Sequence, residues 1–476
     1  MKNFNKIIIV LLVLIFGSSC KDFLTVNPKT DVAHDDLFST EAGFKDAVAG
    51  VYIQLDEDGS YGRELTMTTM EHLVSSWDVT ATTTAGQLGR FNYSDAGAEN
   101  ILQNLFNKQY KTIASINAIL EQLDNKRSIL GPEMYALIKG ECLALRGLLH
   151  FDMLRLFGPV PAMASTANRL PPYVTAFSKT ATAAPGFTGF KTALFNDLDE
   201  AEQLLATSDP FISNSITDFK NGTFRSKDNF VNYRYLRMNY YATKALKARA
   251  YLWFNEPQKA YEQATFVINA KNPDATAKFR LGTAADFASN NFVLTSEQIF
   301  GLYDYNINTK FTGPTLYKGT DATVIKGQLY GNTGTDIRES SLWATDVQSS
   351  VSRYMFRKYD LTKSSTDLLQ DAKQIPMLRL SEMYLIAIET GAQADAQSWW
   401  SAFQTSRNLS QTVLPTDASQ KQTLLLKEYR KEFYGEGQAF YAYKRLNATA
   451  AQITFLSAGI DVNYTPPLPK SETAVN

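Results

Sequence analysis

From Glu133 the apolar positions fall at Met134, Ile138, Cys142, Leu145, Leu149, Met153 and Leu156, at steps of three and four that trace one face of a helix. Pro132 suits its first turn, Gly158 suits a left-handed position at its end, and Pro159 and Pro161 cannot continue it. The stretch LLHFDMLRLFGPVPA, residues 148 to 162, therefore reads as the hard stop of a packed helix. Gly140 and Gly147 would each weaken an isolated helix by roughly 1 kcal/mol relative to alanine, so the pattern predicts a second helix passing close by. Upstream, Ile101, Leu105, Tyr110, Ile113, Ile116, Ile119, Leu120 and Leu123 carry the same spacing from Glu99 to Asn125. A short connection between the two stripes predicts two long antiparallel helices.

Residues 239–270 place Ala242, Ala245, Leu246 and Ala250 before a turn at Asn255 to Pro257, and Ala260, Ala264 and Val267 after it. Small residues facing one another across a short turn are what tetratricopeptide helix pairs use, although no strict period recurs. Two more helices are predicted at 375–392 and 422–446. Between the 239–270 pair and these two helices, residues 271–374 are rich in Gly, Asn, Thr and Tyr, with strand-like pieces at Gln298 to Tyr303 and Tyr354 to Tyr359. A loop-rich insertion of that length inside an ordered chain points to function. The predicted fold is mainly α: helix pairs at about 99–158, 190–270 and 375–446, with loop-rich regions at about 55–98 and 271–374. With no linker-like stretch, residues 20–476 read as a single domain.

Composition narrows the chemistry. The 476 residues are 44% hydrophobic and 20% charged, ample for a sizeable core. Basic and acidic residues balance at 47 and 48, with no run of lysine and arginine on a helix, which argues against nucleic acid as a partner. Three histidines (His34, His72, His150) and two cysteines (Cys20, Cys142), far apart in sequence, argue against a zinc cluster or disulfide framework. No cofactor is called for.

At the N-terminus, Lys2 and Lys6 precede the apolar run Ile7 to Phe16. That run is about half the ~20 residues a membrane span needs, so residues 1–19 read as a secretory signal. Gly17, Ser18, Ser19 and Cys20 resemble the bacterial lipobox, although many lipoboxes have leucine where Gly17 stands. Lipidation of Cys20 would anchor the chain more firmly than one acyl chain can. Lys21 and Asp22 look like the signal that sends lipoproteins of the Bacteroidota to the outer face of the outer membrane.

Several motifs then come in a recognisable order: KDFLTVNPKT after the cysteine, ALRGLLHFDMLRLFGPVP (144–161), ALKARAYLW (245–253), Asp336 with Arg338, RLSEMYLIAIE (379–389), KEYRKEFYGEGQAF (427–440) and the closing YTPPLPKSETAVN. Together they resemble the SusD/RagB family of outer-membrane nutrient-binding lipoproteins over nearly the whole chain. Tyr429, Ala439 and Ala442 depart from it, standing where the family often has Arg, Arg and Asp, which puts a local salt-bridge network in doubt. The resemblance implies a tetratricopeptide-like body with a ligand face in its loops. It also implies a surface lid on a SusC-like TonB-dependent transporter, passing on an oligosaccharide or peptide without catalysis. A helical scaffold with no small ligand is the alternative among non-enzymes.

The residues themselves offer little for catalysis. There is no G-x-S-x-G, phosphate-cradling loop or H-E-x-x-H. Glu428, Glu432 and Glu436 share one helical face, and paired carboxylates can hydrolyse glycosides. Lys427, Arg430 and Lys431 on the same helix make a solvated or ion-paired face the better reading. His150 reads as a hydrogen-bonded packing residue. Sugar recognition needs flat aromatic faces beside amides, carboxylates or arginine. Of 5 Trp, 24 Tyr and 29 Phe, most must be core. Trp253, Trp399 and Trp400 lie in predicted helices, whereas Trp77 and Trp343 sit among Ser, Thr and Asp in predicted loops. The expected ligand residues are therefore Trp77 and Trp343, followed by Asp78, Arg90, Tyr93, Tyr305 and Tyr317.

Overall fold

The computed structural model describes residues 34–470 and 472, apart from 166–167, 311–315, 349 and 363. The signal segment and the lipidation site Cys20 lie outside the described residues. Ten principal helices carry the body: α1 (Glu41–Leu55), α2 (Ala96–Asn125), α3 (Pro132–Phe157), α4 (Phe187–Ser208), α5 (Tyr240–Trp253), α6 (Pro257–Ile268), α7 (Leu380–Thr390), α8 (Gln393–Ser406), α9 (Ala418–Glu432) and α10 (Ala439–Arg445). Each of α1 to α7 packs on the next in sequence, the neighbour-on-neighbour stacking of helical repeats. One contiguous set of buried apolar side chains runs from Phe38 to Tyr464.

The predicted close approach on α3 is made by α4. A methyl group on Gly140 would come within 2.8 Å of Leu205, and one on Gly147 within 2.9 Å of Leu198. In the α5–α6 pair, Ala242, Ala245, Ala250, Ala260 and Ala264 are all fully buried, so the two backbones sit close together as predicted.

Three expectations need correction. Gly158 is extended (φ −72°, ψ 173°) rather than left-handed. The carbonyls at the end of α3 are met instead by a buried amine on α10: Lys444 Nζ donates to Leu156 O (2.8 Å) and Gly158 O (2.6 Å). Burial pushes this amine well below its usual range. Second, residues 375–379 are not helical. They belong to β4 (Gln374–Arg379), which pairs antiparallel with β1 (Gln298–Tyr303), and α7 starts only at Leu380. Every residue of β4 is buried, so its apolar run had no period to separate strand from helix. Third, the helix predicted over 422–446 is broken after Glu432, where Gly435 and Gly437 each adopt φ 72° before α10 begins. The loop-rich middle also holds the hairpin β2 (Trp343–Gln348) and β3 (Val351–Phe356), with the N–H groups of Tyr354 and Phe356 in β3 donating to the carbonyls of Gly319 and Leu316.

Candidate functional site

The two loop tryptophans are core residues. Trp77 is 2% exposed and donates from Nε1 to Met67 O (2.7 Å); Trp343, the first residue of β2, is 3% exposed. Tyr434 lies edge-on to both, at 5.2 Å from Trp77 and 5.0 Å from Trp343, and Phe356 closes the group. Neither ring offers a face to a ligand. The polar neighbours of Trp77 are bonded inward: Ser76 Oγ donates to Glu71, receives Arg430 (2.7 Å), and its carbonyl accepts from Tyr434. Tyr93 is buried too (6%), its hydroxyl donating to Asn463 O (2.7 Å).

The row of Glu428, Glu432 and Glu436 is ion-paired as expected, but it is buried rather than solvated, and Glu436 stands beyond the end of α9 rather than on its face. Glu432 accepts from Arg338 (3.0 Å), Arg379 (2.9 Å) and Arg407 (2.7 Å). Glu428 is bound by Arg338 (2.9 Å) and Lys431, and Glu436 by Arg379 (2.9 Å) and Lys358. Burial alone would raise the Glu432 carboxyl, yet Arg407 and Arg379 hold it well below the usual carboxylate range. Each carboxylate is thus spent on an arginine or lysine, leaving none poised to carry a proton. His150 is a packing residue: its Nδ1 bonds to Arg146 O (3.0 Å), its Nε2 accepts from Val174 N (2.8 Å), and its ring stacks on Tyr173 at 4.0 Å.

What the loops do present lies on two surfaces. The first runs along residues 75–94 and the segment 455–470. Asp78 and Arg90 line an open cleft of about 200 Å³ together with Lys318 and Phe455. Asp78 pairs with Lys318 (2.9 Å) and accepts from Gly319 N (2.6 Å), while its own N–H donates to Tyr317 O (3.0 Å). Tyr317 is half-buried beneath Arg353 (4.7 Å). Phe455 holds φ 74°, a region that costs a bulky side chain about 1–3 kcal/mol and that clusters at functional sites. A larger cleft of about 630 Å³ adjoins along the same two segments, lined by Tyr93, Glu99, Leu102, Asn463, Leu468 and Lys470 among others.

The second surface carries exposed rings. Tyr305 is 67% exposed, Tyr303 44% and Tyr233 58%. Burial, then the nearby phenols of Tyr305 and Tyr233, push the Tyr303 hydroxyl up. Lys373 Nζ sits 3.8 Å from the Tyr305 ring centroid, and Tyr303 donates to Gln370 (2.9 Å). Of the expected ligand residues, Asp78 and Arg90 share one cleft with Tyr317 behind it, Tyr93 supports its neighbour, and Tyr305 stands with two tyrosines that sequence reasoning missed. Tyr303 carried a readable signal, as the last residue of a predicted strand; Lys318, Phe455 and Tyr233 carried none. Among the described residues, no group of three or more His, Cys, Asp or Glu could hold a metal ion, and no helix is long and apolar enough to cross a membrane.

Residues 22–252 match the model of a SusD-like family described as starch-binding and associating with the outer membrane. SusD-like protein P25 of Formosa agariphila is 26% identical over 163 residues, a match spanning 32% of this chain and only 30% of that protein. A SusD superfamily protein from Bacteroides thetaiotaomicron aligns with a TM-score of 0.68 at 21% identity, covering 92% of this chain and 98% of its own. A sugar-binding protein, so described, from Bacteroides vulgatus gives 0.65 at 20% identity, covering 92% and 97%. A laminarin-binding SusD-like protein gives 0.61 at 17% identity, covering 91% and 97%. Likeness at these identities establishes the fold.

Proposed function

The chain belongs to the SusD-like family, and on that premise we propose that it captures a nutrient oligosaccharide at the cell surface and passes it to a partner TonB-dependent transporter. In this reading residues 20–476 act as one unit, held to the outer membrane through a lipid on Cys20. The observation that carries the ligand class is the group of exposed phenols around Tyr305, since Tyr233, Tyr303 and Tyr305 offer flat faces to sugar rings next to the polar Gln370 and Lys373. The cleft with Asp78, Arg90 and Lys318 supplies hydroxyl partners of both signs. Binding without cleavage fits carboxylates that are committed to arginines.

Calorimetry on the soluble chain beginning at Lys21, against laminarin oligosaccharides, other glycans and peptides, tests this. If a tyrosine stacks on the ligand, Tyr305→Ala should cost on the order of 2 kcal/mol, roughly thirty-fold in affinity. Unchanged affinity in both Tyr303→Ala and Tyr305→Ala would remove that surface, preferential binding of peptides would change the ligand class, and cleavage of a bound glycan would overturn the binding-only reading. Cys20→Ala should release the protein from membrane fractions; full retention would refute the anchor.

A further inference from the structure

The turn from Asp304 to Lys310, which carries Tyr305, is tied at both ends. At its start, Asp304 N donates to the carbonyl of Lys373, the same residue whose ammonium covers the Tyr305 ring, and Asp304 Oδ1 accepts from Asn306 N (2.8 Å). At its finish, the Lys310 ammonium turns back to Asp304 Oδ2 (2.8 Å) and donates to Asp56 O (3.1 Å), the residue that ends α1. Three carboxylates gather round this one ammonium, since Asp58 Oδ1 is 3.5 Å away and Asp56 Oδ1 3.7 Å. Glu57, between those two aspartates, is engaged by Lys108 of α2 and does not join them.

We propose that Lys310 is the positioning residue for Tyr305, and that Asp56 makes its hold on the turn weaken as the medium becomes alkaline. The proposal rests on the reading of Tyr305 as a ligand contact. Its geometry is a shortage of positive charge: with all three carboxylates ionised, one ammonium faces a surplus of two negative charges in a half-buried space. Asp56 Oδ1 is closed to solvent and too far from Nζ for a good hydrogen bond, so it is the carboxylate served worst. Burial, and then the charge of Asp304, push its carboxyl up to about 7 against the pull of Lys310. This lies above the ordinary value of 3.8, so the folded arrangement favours protonated Asp56 and loses that support as pH rises through about 7. Ionisation then sets Asp56 against Asp304 and loosens the turn.

Amide hydrogen exchange on the full mature chain, without ligand and corrected for intrinsic rates, reads the turn directly at pH 6 and pH 8.5. Wild-type protection at Asn306, Ile307 and Lys310 should fall several-fold across that interval. Asp56→Asn should hold protection constant, Lys310→Arg should keep the wild-type pattern, and Lys310→Met should lose protection at both pH values. A flat wild-type profile, or a fall that survives in Asp56→Asn, would overturn the proposal. Calorimetry with a laminarin oligosaccharide separates the two readings. Weakening of affinity in step with exchange supports both, whereas an intact exchange pattern with no dependence of binding on Tyr305 leaves the pH-sensitive turn standing and removes its role in ligand capture.

Discussion

Replacing Glu432 by glutamine keeps the side chain's shape and removes one charge from the most heavily paired carboxylate in the molecule. Its two oxygens receive Arg407 Nη2 at 2.7 Å, Arg407 Nε at 2.9 Å, Arg379 Nη1 at 2.9 Å and Arg338 Nη1 at 3.0 Å, all in a site where Glu432 is 3% exposed. Glu297 shares Arg379 and Arg407, but Arg338 is left to Asp336 and Glu428, and Arg379 to Glu297 and Glu436. A glutamine would also turn an amide NH2 toward guanidinium donors. Breaking a buried pair on one side typically costs about 3–5 kcal/mol, because the remaining charge stays buried without its partner. Against a total stability of roughly 5–15 kcal/mol, that loss is large. Urea unfolding followed by circular dichroism should therefore show Glu432→Gln with a markedly lower midpoint. Lys470→Ala, which removes a partner of Glu99 from a side chain 81% exposed, should barely move it. A Glu432→Gln protein within 1 kcal/mol of wild type would refute the argument that this carboxylate balances three arginines.

Gly158→Val should destabilise by about 1 kcal/mol or more, because a Cβ there would lie 2.5 Å from Leu154 O and 2.8 Å from Leu154 Cδ1; thermal melting checks this, and an unchanged midpoint with lost ligand binding would make the turn functional instead. His150 is held neutral by burial, its pKa lowered to about 3. Its contribution is therefore complete above the ordinary value of 6.5 and is lost as pH falls toward 3, at up to ~1.4 kcal/mol per pH unit; a His150→Gln protein should show a shallower loss of stability between pH 6 and pH 4 than wild type, and parallel slopes would refute the assignment.

The helical body was legible because its signals are periodic and local. The stripe from Met134 to Leu156 needs only one face of α3 to be apolar, and the glycines at 140 and 147 disclose a neighbour because nothing else makes them tolerable in mid-helix. The end of α3 shows where that logic stops. The punctuation at Gly158 marked the right residue, but its cap comes from Lys444, 286 residues away. Distant satisfaction of helix ends leaves no trace in the local sequence. The same holds for β4, recognisable as a strand only once β1 is beside it.

The candidate site divides along the same line. Trp77 and Trp343 were expected at the surface because serine, threonine and aspartate surround them, and polarity of neighbours is a proxy for exposure only when those neighbours are themselves solvated. Here Ser76 and Glu71 are buried and bind Arg430, and Asp78, at the rim of the open cleft, binds Lys318 and the backbone of Gly319, so the polar residues beside Trp77 are spent on partners while its ring packs against Tyr434. Tyr305 met the opposite condition. It follows a strand whose first five residues are buried and whose sixth, Tyr303, is exposed, so the chain leaves the core at that point and delivers two rings to the surface in three residues. Where a buried strand runs out is therefore a better guide to a presented aromatic in this fold than the company it keeps in sequence, because the exit of the backbone from the core is what exposes the ring.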